Sequence, residues 1–485
     1  MQMEELSLLV APLLNSLQKS SQRKHAAFYA PGHKQGKSLD RQLIELLGKK
    51  VFQSDLPELP ELDNLFAPEG AIAQAQQLAA ETFSADKTWF LVNGSTCGVM
   101  AAILATCNIG EKIILPRNIH QSAIAGTILS GAIPIFINPE YDADRKLAYS
   151  ITPEAIGQAL EQHPDTKAVM VLYPTYQGVC GDLAAIAKIT KQYKIPLLVD
   201  EAHGAHFGFH PDLPPSALSL GADLTVQSTH KVLSAMTQAS MLHTKGDRVN
   251  SQKITKALQL LQSTSPSYLL LASLDAARRQ MATEGTQLMT KTLELATIAR
   301  KELAEIPCFS VLEPKSIAGF KYLDRTRLTI DISQLGITGF EADEILHQRL
   351  GVTCELPLPQ HLTFIISLGN TKEDIQQLIK AFQTISHSPN LPLPHFPSLP
   401  PIHPSTPQIS PRQAYFSPTE TIPIETARDR LCAELICPYP PGIPILMPGE
   451  IIASEAIDYL QQVLDSGGII TGCSDPTLKT IQVMQ

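Results

Sequence analysis

The sequence predicts an α/β protein. It would have an open, mostly parallel sheet in a large domain, then a smaller α+β domain, then a separate C-terminal unit. Three observations predict it. Short apolar runs ending at turn or polar residues alternate with helical stretches through the first half of the chain; this is how parallel strands covered on both faces read. From about Lys291 the pattern changes to the alternating strands and helices of a smaller unit. A proline-rich run at residues 388–411 then sets off the last segment, because proline fixes φ and removes a backbone donor.

The strands of the large domain are expected at 89–92, 112–115, 168–172, 195–199 and 224–226. The first stops at Asn93-Gly94, ahead of a helix rich in Ala and Met. The others stop at Pro116, Tyr173-Pro174, Asp200 and Gln227-Ser228. Residues 56–66, acidic and proline-rich, read as a loop. In the small domain, KTLELATIARKELAEI, EADEILHQRL and KEDIQQLIKAFQTI read as helices, and RLTIDIS and LTFIIS as strands. The tail is expected to hold helices over 425–435 and 450–464, with a turn-rich PYPPGIP segment between them. No internal repeat is visible. The resulting division is an N-terminal arm (1–55), a large domain (56–285), a small domain (286–387), a linker (388–411) and a C-terminal domain (412–485), as a chain of 485 residues exceeds one ordinary core.

Composition excludes several classes. Hydrophobic residues make up 44% and charged residues 18%, a globular balance. A net charge of −9 and a pI near 5.9 argue against a nucleic-acid surface, which needs clustered Lys and Arg. The acidity suits a cationic substrate, although it also serves solubility. MQMEELSLLV lacks the basic start and long apolar core of a signal peptide. No run approaches the roughly 18 apolar residues of a membrane span. The eight cysteines are scattered without a C-x-x-C pair, so they read as free thiols in a reducing cytoplasm, and no metal site is expected.

The candidate chemistry sits just after the predicted strands. In an open parallel sheet, ligands bind at the carboxyl ends of strands, so these clusters should converge. Asn93-Gly94-Ser95-Thr96 precedes a helix, where a tight turn, free N–H groups and hydroxyls favour an anion. Alone it also reads as an ordinary N-cap. Asp200-Glu201-Ala202-His203 offers a carboxylate to hold a pyridinium protonated, a small side chain to lie against a ring, and an imidazole for a phenolic oxygen. Asp200 alone also reads as a cap. Ser228-Thr229-His230-Lys231 places at a crowded strand end an amine that desolvation can make nucleophilic. His120, in Asn118-Ile119-His120-Gln121-Ser122, can stack on a flat cofactor or serve as a capping histidine. Phosphate cradle, ring stack, pyridinium carboxylate and Schiff-base lysine, in that chain order, resemble the fold-type-I pyridoxal-phosphate enzymes, whose large domain is that of aspartate aminotransferase.

Within that fold the chain resembles the ornithine/lysine/arginine decarboxylase family, in its short form. The resemblance rests on Tyr29-Ala30-Pro31-Gly32-His33-Lys34-Gln35-Gly36, Asp200-Glu201-Ala202-His203-Gly204, Gln227-Ser228-Thr229-His230-Lys231 and Thr264-Ser265-Pro266-Ser267-Tyr268. In the tail it rests on Tyr439-Pro440-Pro441-Gly442-Ile443-Pro444 and Pro448-Gly449-Glu450. The segment before Tyr29 is too short for the extra N-terminal regulatory domain of longer members.

By position, the resemblance implies pyridoxal 5'-phosphate as cofactor. Lys231 would be the Schiff-base lysine, Asp200 the partner of the pyridine nitrogen and His120 the stacking ring. Ser95, Thr96, Ser228 and His230 would hold the phosphate, Ala202 would lie at the ring and His203 near the phenolic oxygen. Ser265 would reach the cofactor phosphate of a partner subunit, which implies at least a homodimer. The implied reaction is decarboxylation of a basic amino acid, arginine first, with lysine and ornithine as alternatives, feeding polyamine synthesis. Lys231 or His230 would return the proton to Cα. Glu355 is the first candidate for the distal substrate cation and Glu69 the second; each also reads as a surface or capping carboxylate. In a rough register, His361 stands where many aminotransferases of this fold carry a carboxylate-gripping arginine. That departure favours decarboxylation, because a strong clamp stabilises the ground state; Arg325 and Arg327 remain as alternative clamps. The competing readings are another fold-type-I enzyme (aminotransferase or aldolase) and a non-catalytic homologue, against which intact Lys231 and Asp200 argue.

Overall fold

The computed structural model describes residues 8–386, 409–439 and 441–485. The large domain is built on seven strands: β1 Lys87–Leu91, β2 Lys112–Pro116, β3 Ile133–Ile137, β4 Ala168–Leu172, β5 Leu197–Asp200, β6 Leu224–Gln227 and β7 Ser240–Thr244. They lie in the order β1-β7-β6-β5-β4-β2-β3. Only β7 runs against its neighbours, pairing antiparallel with β1 and β6. The carboxyl ends of the other six therefore share one edge. The five expected strands are all present within two residues at each end, and β3 and β7 are additional.

Side-chain alternation explains why these runs are apolar throughout. Val169 and Val171 of β4, Leu197 and Val199 of β5, and Ile114 of β2 belong to one core cluster. Ala168, Met170, Leu198, Ile113 and Leu115 belong to another. Successive residues of a strand point to opposite faces, so a sheet covered on both sides needs apolar residues at every position. Helix α1, Gly94–Thr106, covers one face very closely. A Cβ on its Gly98 would lie 2.7 Å from both Leu91 Cδ1 and Val226 Cγ1, so glycine sets how near the helix approaches β1 and β6.

Helix α2, Gln121–Ser130, follows β2, and the short α3, Thr229–Val232, follows β6. Helix α4, Tyr268–Ala304, runs for 37 residues and is continuous through 285 and 286, where the sequence reading divides two domains. Its buried Asp275 and Arg278, 2.6 Å apart, hold the N-terminal segment: Asp275 accepts from Leu13 N at 2.9 Å, and Arg278 donates to the carbonyls of Leu8 and Val10. The small domain adds an antiparallel sheet of β8 Ser310–Val311, β9 Arg327–Asp331, β10 Leu356–Leu358 and β11 His361–Ile365, ordered β8-β9-β11-β10. Helices α5 Gly339–Leu350 and α6 Lys372–Ser386 bury its apolar face.

Of the proline-rich segment, residues 388–408 lie outside the described residues; Pro411 already begins a helix, Pro411–Phe416. The C-terminal unit has its own apolar cluster around Ile436, Ile452, Leu460 and Ile481. It holds the expected second helix, at Ser454–Asp465. The helix expected over 425–435 is absent. Only a 3-10 turn forms at Ile424–Thr426, and isolated bridges follow at Leu431 and Cys432. Cys432 N donates to Glu450 O at 2.8 Å and Ala433 N to Gln482 O at 3.2 Å, so pairing with distant strands takes the donors a helix would use. All eight cysteines are free thiols. Among the described residues no helix is long and apolar enough to cross a membrane.

Candidate active site

Five of the strand ends converge on a cavity of about 160 Å³. Gly94, Ser95 and Thr96 come from the end of β1, His120 and Ser122 from β2, and Leu172 and Tyr176 from β4. Asp200, Ala202 and His203 come from β5, and Ser228, His230 and Lys231 from β6. Every predicted cofactor residue except Ser265 lines this cavity. Ser265 is exposed, on the loop before α4. Tyr176 was missed by sequence reasoning, although it follows a strand end as the others do.

One wall is suited to an anion. Asn93, the N-cap of α1, makes no side-chain cap, so the N–H groups of the first turn are open to a ligand. Ser228 Oγ donates to Ser95 Oγ at 2.7 Å, joining two hydroxyls at this wall. Opposite stands Asp200, 3% exposed, whose Oδ1 accepts from Ala202 N at 3.2 Å. Burial raises its carboxyl above the usual range, and nearby Lys231 pulls it back. A buried carboxylate of this kind suits a cationic partner within the cavity.

Lys231 Nζ lies 3.0 Å from His203 Nε2 and 5.6 Å from the centroid of the Tyr176 ring. Burial lowers the pKa of its amine; Asp200 opposes that shift, and Arg327 adds to it. Burial also holds His203 well below the ordinary histidine range, and its Nδ1 has no hydrogen-bond partner. His120 is brought down to about 4 by burial and by Lys231. Its Nδ1 accepts from Ser122 N at 3.2 Å, which puts the proton of the neutral ring on Nε2. His230 Nδ1 is 3.0 Å from the Ala239 carbonyl, so it is the protonated nitrogen and Nε2 is the free base.

Both substrate candidates are exposed and outside the cavity lining of their own chain, and they differ in electrostatic reach. Glu355 acts electrostatically on Lys231, His230, Tyr176 and Arg327. Glu69 is exposed and does not line the cavity of its own chain; its N–H donates to Asp63 Oδ1 at 3.0 Å. The register placed on His361 is corrected. It pairs with Asp331, whereas Arg327 pairs with Ile365 at the other end of β9 and β11. Arg327 Nη2 donates to the His203 carbonyl at 3.3 Å. Four residues of strand, roughly 13 Å, therefore separate His361 from the site end. Arg327 is the cation at that end. It is fully buried, its Nε is 3.8 Å from Asp324, and neither Nε nor Nη1 has a hydrogen-bond partner. Asp324 in turn lies 3.1 Å from His206.

A parallel sheet with an anion wall, a buried carboxylate and a desolvated lysine at its strand ends defines a fold-type-I pyridoxal-phosphate enzyme. The fold agrees with solved structures. Lysine decarboxylase A from Pseudomonas aeruginosa aligns with a TM-score of 0.83 over 99% of this chain and 81% of that one, at 23% identity. An alanine–glyoxylate aminotransferase from Nostoc aligns with a TM-score of 0.52 over 66% of this chain and 88% of that one, at 18% identity. The residues present fit the cofactor, on the open helix end, the buried Asp200 and the orphaned His203 nitrogen.

The chain belongs to the Orn/Lys/Arg decarboxylase family: the major-domain profile matches residues 11–374 and the C-terminal-domain profile residues 399–472. It is thus a pyridoxal-phosphate-dependent decarboxylase. It is 39% identical to an arginine decarboxylase of Bacillus subtilis, covering 98% of each chain, and 37% identical to one of Bacillus anthracis, covering 100% of this chain and 99% of that one. Lysine decarboxylase LdcA of Pseudomonas aeruginosa is more distant, at 24% identity over 94% of this chain and 76% of that one.

Proposed function

We propose that the chain decarboxylates arginine to agmatine in the cytoplasm, feeding polyamine synthesis, with its cofactor site completed by a partner subunit. The observation that carries the substrate is likeness over full length: the arginine decarboxylases are 37–39% identical, against 24% for the lysine decarboxylase.

Ser95, Thr96, Ser228, His230 and the first turn of α1 would hold the phosphate. His230 stands beside them with its Nε2 free to take or return a proton. His120 would stack on the ring, Ala202 would lie against it and His203 would stand near the phenolic oxygen. Asp200 keeps the pyridine nitrogen protonated. When bound, the cofactor supplies the electron sink into which the electrons of the Cα–carboxylate bond flow as carbon dioxide leaves. Lys231 presents a desolvated amine that would hold the cofactor, yield its place to the substrate amine and later displace the product amine, and Lys231 or His230 would deliver the proton to Cα. Arg327 orients the α-carboxylate through Nη1, whose N–H groups have no hydrogen-bond partner. Glu355 faces the distal guanidinium; Glu69 is the second candidate. Ser265, exposed on its own chain, reaches the phosphate held by a partner copy, so the enzyme is at least a homodimer.

Lys231→Ala and Asp200→Ala test the central pair. Lys231→Ala should lose the visible absorbance of bound cofactor together with turnover. Asp200→Ala should retain some cofactor and lose most of kcat. Wild-type turnover in Lys231→Ala, or an unchanged rate in Asp200→Ala, would remove the corresponding assignment.

A further inference from the structure

The C-terminal unit reaches the active site of its own chain. Its turn over residues 441–445 lies directly behind two residues that line the cavity. Gly442 O accepts from Gln121 N at 3.0 Å, in the first turn of α2 and next to His120. Pro441 O accepts from the Tyr176 hydroxyl at 2.9 Å. The turn is fixed from below by Arg117, which follows β2 and is only 3% exposed. Arg117 Nη1 donates to Pro444 O at 2.6 Å, and Nη2 donates to Ile445 O at 3.0 Å and to Glu450 at 3.2 Å.

Gly442 is the contact point. Its φ is +81°, a conformation L side chains rarely adopt. A Cβ there would stand 3.3 Å from Gln121 Nε2, 3.4 Å from His120 Nε2 and 3.6 Å from His120 Cδ2. A residue without a side chain at this point leaves undisturbed the edge of the imidazole that carries the ring proton. On the other side the turn holds the hydroxyl of Tyr176, whose ring lies under Lys231 Nζ and is 4.5 Å, centroid to centroid, from His203.

We propose that the 441–445 turn is a wall of the active site, and that Gly442 and Arg117 are positioning residues that set the plane of His120 and the tilt of Tyr176. The inference rests on the assignment of His120 as the ring that covers the cofactor. It gives the C-terminal unit a direct part in the chemistry: a ring stack and an amine must be held to within a fraction of an ångström, and small displacements from outside the site are costly in rate.

The test compares full-length wild type with Gly442→Ala, His120→Ala, Tyr176→Phe and Arg430→Ala. The readouts are the pyridoxal-phosphate dissociation constant from its visible absorbance, kcat and KM, and thermal melting. Arg430 bonds Glu420 and the Met484 carbonyl, away from the turn, so its replacement disturbs the C-terminal unit without touching His120 or Tyr176. Gly442→Ala should weaken cofactor binding about tenfold, the size of one displaced polar contact, and approach His120→Ala. Arg430→Ala should keep wild-type cofactor affinity.

Tyr176→Phe keeps the ring and loses only the bond to Pro441. It should lower kcat several-fold with little change in KM or melting, and it gives an answer even if Gly442→Ala does not fold. Wild-type affinity in Gly442→Ala beside a loss in His120→Ala overturns the inference alone. Wild-type affinity in His120→Ala overturns the assignment beneath it. Equal losses in Gly442→Ala and Arg430→Ala, or an unchanged kcat in Tyr176→Phe, also overturn it.

Discussion

Replacing Arg327 by glutamine separates the two ends of the substrate. Arg327 is fully buried at the site end of β9; its Nε faces Asp324 at 3.8 Å, and neither Nε nor Nη1 has a hydrogen-bond partner. A guanidinium in that state is poised for a carboxylate, and charge-assisted hydrogen bonds contribute about 1.5–3 kcal/mol. The kcat/KM for arginine should therefore fall roughly 10- to 150-fold, chiefly through KM. Removing one partner of a buried ion pair normally costs about 3–5 kcal/mol of stability. Here the cost should be smaller. Asp324 keeps His206 at 3.1 Å and still accepts from Thr326 N at 3.0 Å and Thr326 Oγ1 at 2.7 Å. The assay pairs steady-state kinetics with competitive inhibition by agmatine, which lacks the α-carboxylate. Agmatine should bind the variant as it binds wild type. If arginine and agmatine weaken together, or if neither weakens, Arg327 does not hold the carboxylate.

Two further expectations follow from burial and charge. Glu355→Gln should raise KM for arginine far more than it alters cofactor affinity, because Glu355 acts on Lys231 and His230 from outside the cavity lining; a normal KM would move the specificity carboxylate elsewhere. His243 is fully buried and burial lowers it to about 3. Its folded-state pKa lies below the unfolded value, so the unfolded chain binds more protons. Stability is then lost as pH falls from about 6.5 toward 3, at up to ~1.4 kcal/mol per pH unit from this one ring. Urea unfolding between pH 7.5 and 5.5 should show a shallower slope in His243→Gln; parallel slopes would count against it.

The parts legible in the sequence are those with a local physical signature. Strands buried on both faces read as continuous apolar runs, and polar residues at their ends read as ligand groups, so Ser95, His120, Asp200 and Lys231 could be gathered before any fold was visible. β7 was not legible because Ser240, His243 and Thr244 break its apolar character; His243 is satisfied instead by Thr88 at 2.7 Å and Gln227 at 3.2 Å. The false helix over 425–435 had helical spacing, but its donors are taken by Glu450 and Gln482. Arg117 carries no local mark at all, and the sequence offers Arg327 only as one alternative clamp beside Arg325. Their importance comes from where β2 and β9 place them, and register between distant strands, which misplaced His361, is a tertiary property.

The most direct test is product analysis. Purified protein with pyridoxal phosphate is supplied with arginine, lysine and ornithine in parallel, and released amines and carbon dioxide are measured. The account predicts agmatine with stoichiometric carbon dioxide from arginine, and far less cadaverine or putrescine from the other two. Cadaverine or putrescine as the main product would contradict the substrate. No amine from any of the three, with cofactor normally bound, would contradict basic-amino-acid decarboxylation itself.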